Sequence, residues 1–539
     1  MTEDLSEFAE TIFRQKYSMG GREGWFDTAN RVATNVMAAL GYGPRSDETR
    51  RIERLIAERK FLPGGRYLYA SGRSLHQVNN CLLLSVEDSR EGWGSLWQRA
   101  GMALLTGAGI GIEYSRVRPS GSPISRTGGE ASGPCPLMQT VNEIGRQVMQ
   151  GGSRRSAIWA GLAWDHGDID DFLRVKDWSP EVRGLRDRDP SFPASMELTN
   201  VSVRLDGRFF EAIGDPTHPE HERAGRVYRE AVARMCRTGE PGFSVDLGPD
   251  ASEVLRNACT EVTSCDDDDV CNLGSINLAR IGSLHELRDA VDAATLFLIA
   301  GTVYSDLPYP EVGTVRSQNR RLGLGLMGVH EWLLSRGRPY GPDGELAAWL
   351  QEYARSTEVA ARWADRHSLS QPVKTRAIAP TGTIGIIGET TTGIEPIYRT
   401  AYRRRYLVGR EWNHQYVVDP TARRLVERDG IDPSEIEDAH ALSFEPGRRI
   451  EMQAWVQGFV DHGISSTVNL PEPLGEEDAA AFGRTLLPLL PRLRGITAYP
   501  AGARGLDPLE PASYTEAVRH NGTVFEEDGS RCIGGICGL

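Results

Sequence analysis

Apolar residues recur every three to four positions in LSEFAETIFRQKY (5–17), WFDTANRVATNVMAAL (25–40) and DETRRIERLIAERK (47–60). This spacing predicts three amphipathic helices, with Asp27 and Ser46 or Asp47 as starts. From FLPGGRYLYASG (61–72) the pattern shortens. The runs NCLLLSV, GIGIEY, AIWAGLAW and SVRL read as buried strands, and GWGSLWQRAGMALL, PLMQTVNEIGRQVM and GRVYREAVARMC between them read as helices. The alternation persists past residue 460 and predicts one large α/β body rather than separate modules. The last 35 residues, from Gly505, are rich in Pro, Gly and charge without sustained periodicity, and read as a mobile tail.

Composition narrows the function more than the fold. The 539 residues are 40% hydrophobic and 25% charged, the profile of a globular protein with a real core. The net charge of −13 argues against a protein that works on nucleic-acid backbones. The acidic start MTEDLSEFAE and the lack of an 18-residue apolar run predict a cytoplasmic protein without membrane contact. Eight cysteines are too sparse for a disulfide scaffold, and the lack of any C-x-x-C pair argues against structural zinc, so no metal site is expected.

Two glycine patterns invite a cofactor reading. Gly323-Leu-Gly325-Leu-Met-Gly328 matches G-x-G-x-x-G, but TVRSQNRRL precedes it where a dinucleotide fold needs a buried strand, so close packing of a helix start is the better reading. GAGIGIEY (107–114) reads as a tight turn before a strand. The stretch Pro380, Thr381, Gly382, Thr383, Ile384, Gly385 follows the apolar AIA run and could present backbone N–H groups and two hydroxyls to an anion, or be a plain turn. It lacks a P-loop lysine. The chemically loaded segment is Asn257-Ala-Cys259-Thr-Glu261. In an extended chain these three side chains share one face. A carboxylate beside a thiol disfavours the thiolate, so the arrangement suits a neutral thiol that loses a hydrogen atom, with a carboxylate as base.

Further motifs surround that segment: Asn79-Asn-Cys81-Leu-Leu-Leu, MQGGSRR, Cys271-Asn-Leu-Gly-Ser-Ile-Asn-Leu, RRLGLGLMGVHEW, APTGTIGIIGETTTGIEP and a terminal C-x4-C. In their order and separation they resemble the large subunit of ribonucleotide reductases over nearly the whole chain. The resemblance implies a ten-stranded α/β barrel with a central finger loop: residues 1–62 a helical preface, 63–504 the barrel, 505–539 a flexible redox tail. It implies that Cys259 becomes a thiyl radical, that Glu261 takes the substrate 3′-hydroxyl proton and that Asn257 hydrogen-bonds the substrate. Cys81 and Cys271 match the pair that supplies two electrons, which must meet across the barrel. Cys532 and Cys537 match the relay pair reset by a thioredoxin-like donor. Pro380 to Gly385 resembles the element that holds the ribonucleotide phosphates.

The radical source is argued separately. The oxygen-dependent class needs two adjacent tyrosines near the end of the barrel, whereas this chain has Ala498 beside Tyr499 in LRGITAYP. That strand resembles the adenosylcobalamin-dependent class, so adenosylcobalamin is the expected cofactor, bound without a protein histidine, and His166 and His462 are expected to be structural. A large subunit served by a separate metal-containing subunit is the alternative. Asp88 and Arg118 fall where related chains bind a deoxynucleotide effector, and Arg154 falls in the loop that links effector to substrate; the three are the expected effector-binding group. A homodimer is expected, and Cys135, Cys236 and Cys265 are read as bystanders.

Overall fold

The computed structural model describes residues 5–79, 81–125, 128–148, 156–188, 192–408, 411–502, 509–522 and 524–526. The three expected N-terminal helices are Glu7–Lys16, Trp25–Ala38 and Asp47–Ala57. Ser46 caps the third, its hydroxyl accepting from the Thr49 N–H at 3.2 Å. Asp27 does not start the second helix; it lies one turn in and its carboxylate accepts from the Gly24 N–H at 3.1 Å. Their apolar faces share a core with Phe61, Leu62 and the long helix Leu284–Tyr304.

The body is a ten-stranded sheet. Nine strands run round its wall: β1 (Cys81–Ser85), β2 (Gly109–Glu113), β3 (Ile158–Ala163), β4 (Thr199–Asp206), β5 (Gly242–Asp246), β6 (Asp269–Asn277), β7 (Leu322–Met327), β8 (Thr467–Leu470) and β9 (Gly495–Pro500). The tenth, Phe61–Pro63, pairs with the end of β6. Strands β1 to β5 are parallel neighbours and form one half. In the other half β6 is parallel to β7 and β8 to β9. Residues 374–378 fill the gap between β7 and β8 through parallel bridges Leu324↔Arg376 and Ile378↔Ile464. The halves meet antiparallel at β1/β6 and at β5/β9, which closes the barrel.

Strand periodicity sorts the wall into two faces. Leu82, Leu84, Ile110, Ile112, Ile158 and Val203 pack outward with the surrounding helices in one core. Most of their alternates are small or polar, with Leu83 and Trp159 the large apolar exceptions. Gly109 and Gly111 on β2, and Gly323 and Gly325 on β7, press against groups inside the barrel. The glycines of the G-x-G-x-x-G pattern therefore lie within a strand, and only Gly328 starts a helix, Val329–Leu334. GIGIE is likewise strand, with the expected tight turn confined to Gly107 at φ +86°.

Part of the segment expected to be a mobile tail has regular structure. Leu509–Pro511 and Val524–Glu526 add to opposite edges of the hairpin Ala401–Val408/Glu411–Val418, with helix Tyr514–His520 between them. The helix contributes Ala517 to a small apolar cluster with Ala401 and Val418, and the two strands are held by pairing along the hairpin edges; elements this short carry too few residues for hydrophobic periodicity to reveal them.

Candidate active site

The finger is a hairpin inside the barrel. Its two short strands, Leu255–Arg256 and Thr263–Ser264, pair antiparallel, and residues 257–262 form the tip. The tip is a tight turn, not the extended segment expected from Asn-x-Cys-x-Glu. Thr260 sits at φ +66°, its N–H donates to the Asn257 carbonyl at 3.0 Å, and the Asn257 Oδ1 accepts from the Val262 N–H at 3.0 Å. The turn, rather than strand alternation, brings the Asn257 side chain to Glu261.

Two β2 glycines make space for this loop. A Cβ at Gly111 would stand 1.9 Å from the Arg256 carbonyl oxygen, and one at Gly109 would meet the Ala258 Cβ at 3.0 Å and the Cys81 Sγ at 3.1 Å. Ala258 and the Cys81 sulfur therefore lie against one point of the wall, next in sequence to Cys259. On the other half, Gly463 donates its N–H to the Glu261 carbonyl at 2.7 Å.

Cys81 and Cys271 are direct cross-strand partners in the β1/β6 seam. Antiparallel partners have Cα atoms about 4.5–5.5 Å apart, within the span a disulfide bridges. The 190-residue separation in sequence is closed by adjacent strands at the seam, not by a reach across the lumen. Cys271 lies among Leu83, Leu255, Val262, Leu273, Ala377 and Ala379. Burial, then the Glu261 and Asp269 carboxyls, push its thiol well above the usual range, with Arg321 opposing. That environment keeps the thiol protonated and able to give a proton with its electrons.

Glu261 is 1% and Asn257 0% exposed. Burial raises the Glu261 carboxyl to about 7, while its own backbone amide and the Asn257 side chain pull the other way. The amide is close enough to favour the carboxylate yet leaves its own Nδ2, and Glu261 Oε2, buried without hydrogen-bond partners. An orphaned donor and acceptor side by side are costly unless a ligand satisfies them. Cys259 and Thr260, in contrast, are half-buried.

The Pro380–Gly385 stretch leaves the barrel segment that carries Ala377 and Ala379, beside Cys271. Thr381 sits at φ +47° and caps helix Gly382–Gly388, whose first N–H groups have no partner within the helix. Pro380 and Gly382 are exposed. The Thr381 hydroxyl makes no capping bond to the helix and instead accepts from the Gly393 N–H at 3.2 Å, which shapes the loop.

The remaining expected residues divide. Asp88 and Arg118 are brought together as an ion pair at 2.6 Å. Arg154, Cys532 and Cys537 lie outside the described residues. His166 has both nitrogens engaged, with the Val117 carbonyl at 2.7 Å and the Asp168 N–H at 3.0 Å. His462 accepts from the Thr263 N–H at 3.2 Å through Nδ1. Cys236 is fully buried, which pushes its thiol to about 12, and Cys265 is exposed on the far end of the finger strand. Sequence reasoning missed the lumen glycines and Arg256; the period-two spacing of the glycines was the available signal.

The model of the ribonucleotide reductase barrel domain matches residues 79–219, 254–361 and 373–483. Vitamin B12-dependent ribonucleoside-diphosphate reductases of two Mycobacterium tuberculosis strains are 30% identical over 99% of this chain, covering 84% and 82% of their own lengths. A putative adenosylcobalamin-dependent ribonucleoside-triphosphate reductase of Mycobacterium phage D29 is 30% identical over 74% of this chain and 75% of its own. Among solved structures, the Actinobacillus ureae class Id ribonucleotide reductase alpha subunit superposes with a TM-score of 0.73 over 93% of this chain and 99% of that one, at 16% identity, a likeness of fold.

Proposed function

From the premise that this chain belongs to the ribonucleotide reductase large-subunit family and reduces ribonucleotides, we propose that it does so by thiyl-radical chemistry at Cys259 with adenosylcobalamin as radical source. The observation that carries this reading is the cross-strand Cys81/Cys271 pair beside a finger whose tip holds Asn257, Cys259 and Glu261.

Each group has one task. Adenosylcobalamin, when bound, supplies the one-electron chemistry that takes a hydrogen atom from the Cys259 thiol. Cys259 and Thr260 are the partly exposed residues of the tip, next to the Gly495 end of β9, whereas Asn257 and Glu261 face the buried side. That division fits a radical source on one side and a substrate on the other, with Thr260 and Gly495 bordering the source. The Cys259 thiyl takes the substrate 3′-hydrogen. Glu261, ionised above about pH 7, accepts the 3′-hydroxyl proton. The Asn257 Nδ2 donates to the substrate. The 2′-hydroxyl leaves as water and C2′ gains a hydrogen, the two protons and two electrons coming from the Cys81 and Cys271 thiols, which become a disulfide. The proton held by Glu261 returns to the 3′-oxygen. Cys259 then returns its hydrogen to C3′.

The first N–H groups of helix Gly382–Gly388 receive the substrate phosphates, with Pro380 to Gly385 as the cradle. Cys532 and Cys537 carry electrons from a thioredoxin-like donor to the Cys81/Cys271 disulfide by thiol exchange. Asp88 and Arg118, with Arg154, form the effector-facing group, and the active assembly is a homodimer. The expected setting is the cytoplasm; among the described residues no helix is long and apolar enough to cross a membrane.

The test is an omission assay. Purified protein, adenosylcobalamin and a small dithiol convert a ribonucleoside diphosphate or triphosphate to its 2′-deoxy form with no second subunit. Strict dependence on a metal-containing partner protein would sink the cobalamin assignment, and the two substrates presented in parallel identify which one is used.

A further inference from the structure

Arg256, immediately before Asn257, is fully buried, and its guanidinium pairs with the equally buried Asp246 of β5 at 2.6 Å. Asp246 also takes the Arg204 Nε at 2.6 Å, and Arg204 reaches Glu113 of β2 at 3.0 Å. Four charges thus alternate in sign beneath the finger, along strands β2, β4 and β5. The Arg256 guanidinium also donates to the Glu253 and Leu255 carbonyls at 2.5 and 3.1 Å and to the Val245 carbonyl at 3.2 Å, tying the finger base to the β5 backbone. On its other side the Arg256 carbonyl rests on Gly111, where not even a methyl group fits.

A buried ion pair is a poor device for stability, because desolvation of both charges consumes most of their attraction and a hydrophobic pair of equal volume does as well. What the pair and its carbonyl contacts provide is direction: a planar fork with fixed bond angles at the base of a two-residue strand. We propose that Arg256 is a positioning residue for the radical chemistry, its buried pairing with Asp246 fixing the place of Asn257 and Cys259 relative to Cys81 and the substrate. The proposal rests on the thiyl reading above. Displacement of a reacting group by about 1 Å costs on the order of 100-fold in rate.

The experiment separates position from folding. Full-length chain is pre-reduced, freed of reductant and given adenosylcobalamin and ribonucleotide. Product amplitude then counts active molecules, and the rate constant reports chemistry. For Arg256→Lys, and for Arg256→Gln combined with Asp246→Asn, which keeps an acceptor for Arg204, amplitude and melting temperature stay near those of the unaltered chain while the rate constant falls about 100-fold. If the Gln/Asn pair retains the rate along with stability, or if amplitude falls in step with the rate, Arg256 is structural and the proposal is overturned. If the unaltered chain makes no deoxynucleotide with adenosylcobalamin, it is the proposed function, in its radical source or its thiyl chemistry, that has failed. The inference is then decided by alkylation of Cys259 in the cofactor-free chain, followed by mass spectrometry: about 10-fold faster labelling in Arg256→Lys supports it, and an unchanged rate overturns it.

Discussion

The two faces of the barrel wall are made from the same strands and do opposite work. Outward positions such as Ile110, Ile112 and Val203 are large, apolar and packed under helices, whereas many of the lumen positions between them are glycine, cysteine, serine or charge, with Leu83 and Trp159 as large apolar exceptions. The outward face supplies the free energy that holds the barrel shut, and the inward face gives up packing to admit a loop. Stability and chemistry are therefore separable along a single strand, residue by residue.

The sharpest break in that comparison is at the finger tip. Cys259→Ser abolishes deoxynucleotide formation while leaving the melting temperature in place; residual turnover above background in the variant would contradict the thiyl role. Cys271→Ser stops product formation as well, because the two-electron step loses one sulfur, and pre-reduced variant protein shows no loss of thiols on exposure to substrate. Glu261→Gln lowers kcat by about 10²- to 10⁴-fold. With native Glu261, kcat/KM rises as pH increases towards about 7, since burial holds the carboxyl protonated below that value and only the ionised form accepts a proton. The Gln variant loses this rise, and a rise that survives would assign the titration to another group.

A smaller and opposite effect comes from the outward face. Ile112→Ala costs about 2–5 kcal/mol in denaturant unfolding, the usual cost of a buried cavity, with kcat unchanged under conditions where the chain stays folded. An equal loss of activity would erase the distinction between the faces. Cys532→Ser with Cys537→Ser leaves turnover with a small dithiol intact and removes only the turnover supported by a thioredoxin-like protein.

Much of the fold was legible because burial imposes periodicity. Helices Trp25–Ala38 and Asp47–Ala57 and strands β1 to β4 lie where apolar spacing places them. Gly323 and Gly325 were harder to read: a helix-start pattern and a lumen-facing strand both space glycines by two, and only the tertiary pairing with β6 and with the segment at 374–378 shows which is present. Asn257, Cys259 and Glu261 were identifiable by residue type, yet the extended geometry that seemed to unite them is replaced by a turn at Thr260. The elements Leu509–Pro511, Tyr514–His520 and Val524–Glu526 eluded the pattern because they are short and are held by pairing to a distant hairpin and by a small apolar cluster around Ala517.

The sequence by itself determined the chemistry on offer, namely which thiols, amide and carboxylate exist and in what order, since side-chain reactivity is a local property of residue type. It also determined the outward face, because each strand records its burial every second residue. The tertiary structure alone decided that Cys81 and Cys271 meet as cross-strand partners, that Glu261 titrates near 7, and that Arg256 is locked beneath the finger. These depend on strand register, desolvation and the closure of two half-barrels, which bring together residues far apart along the chain.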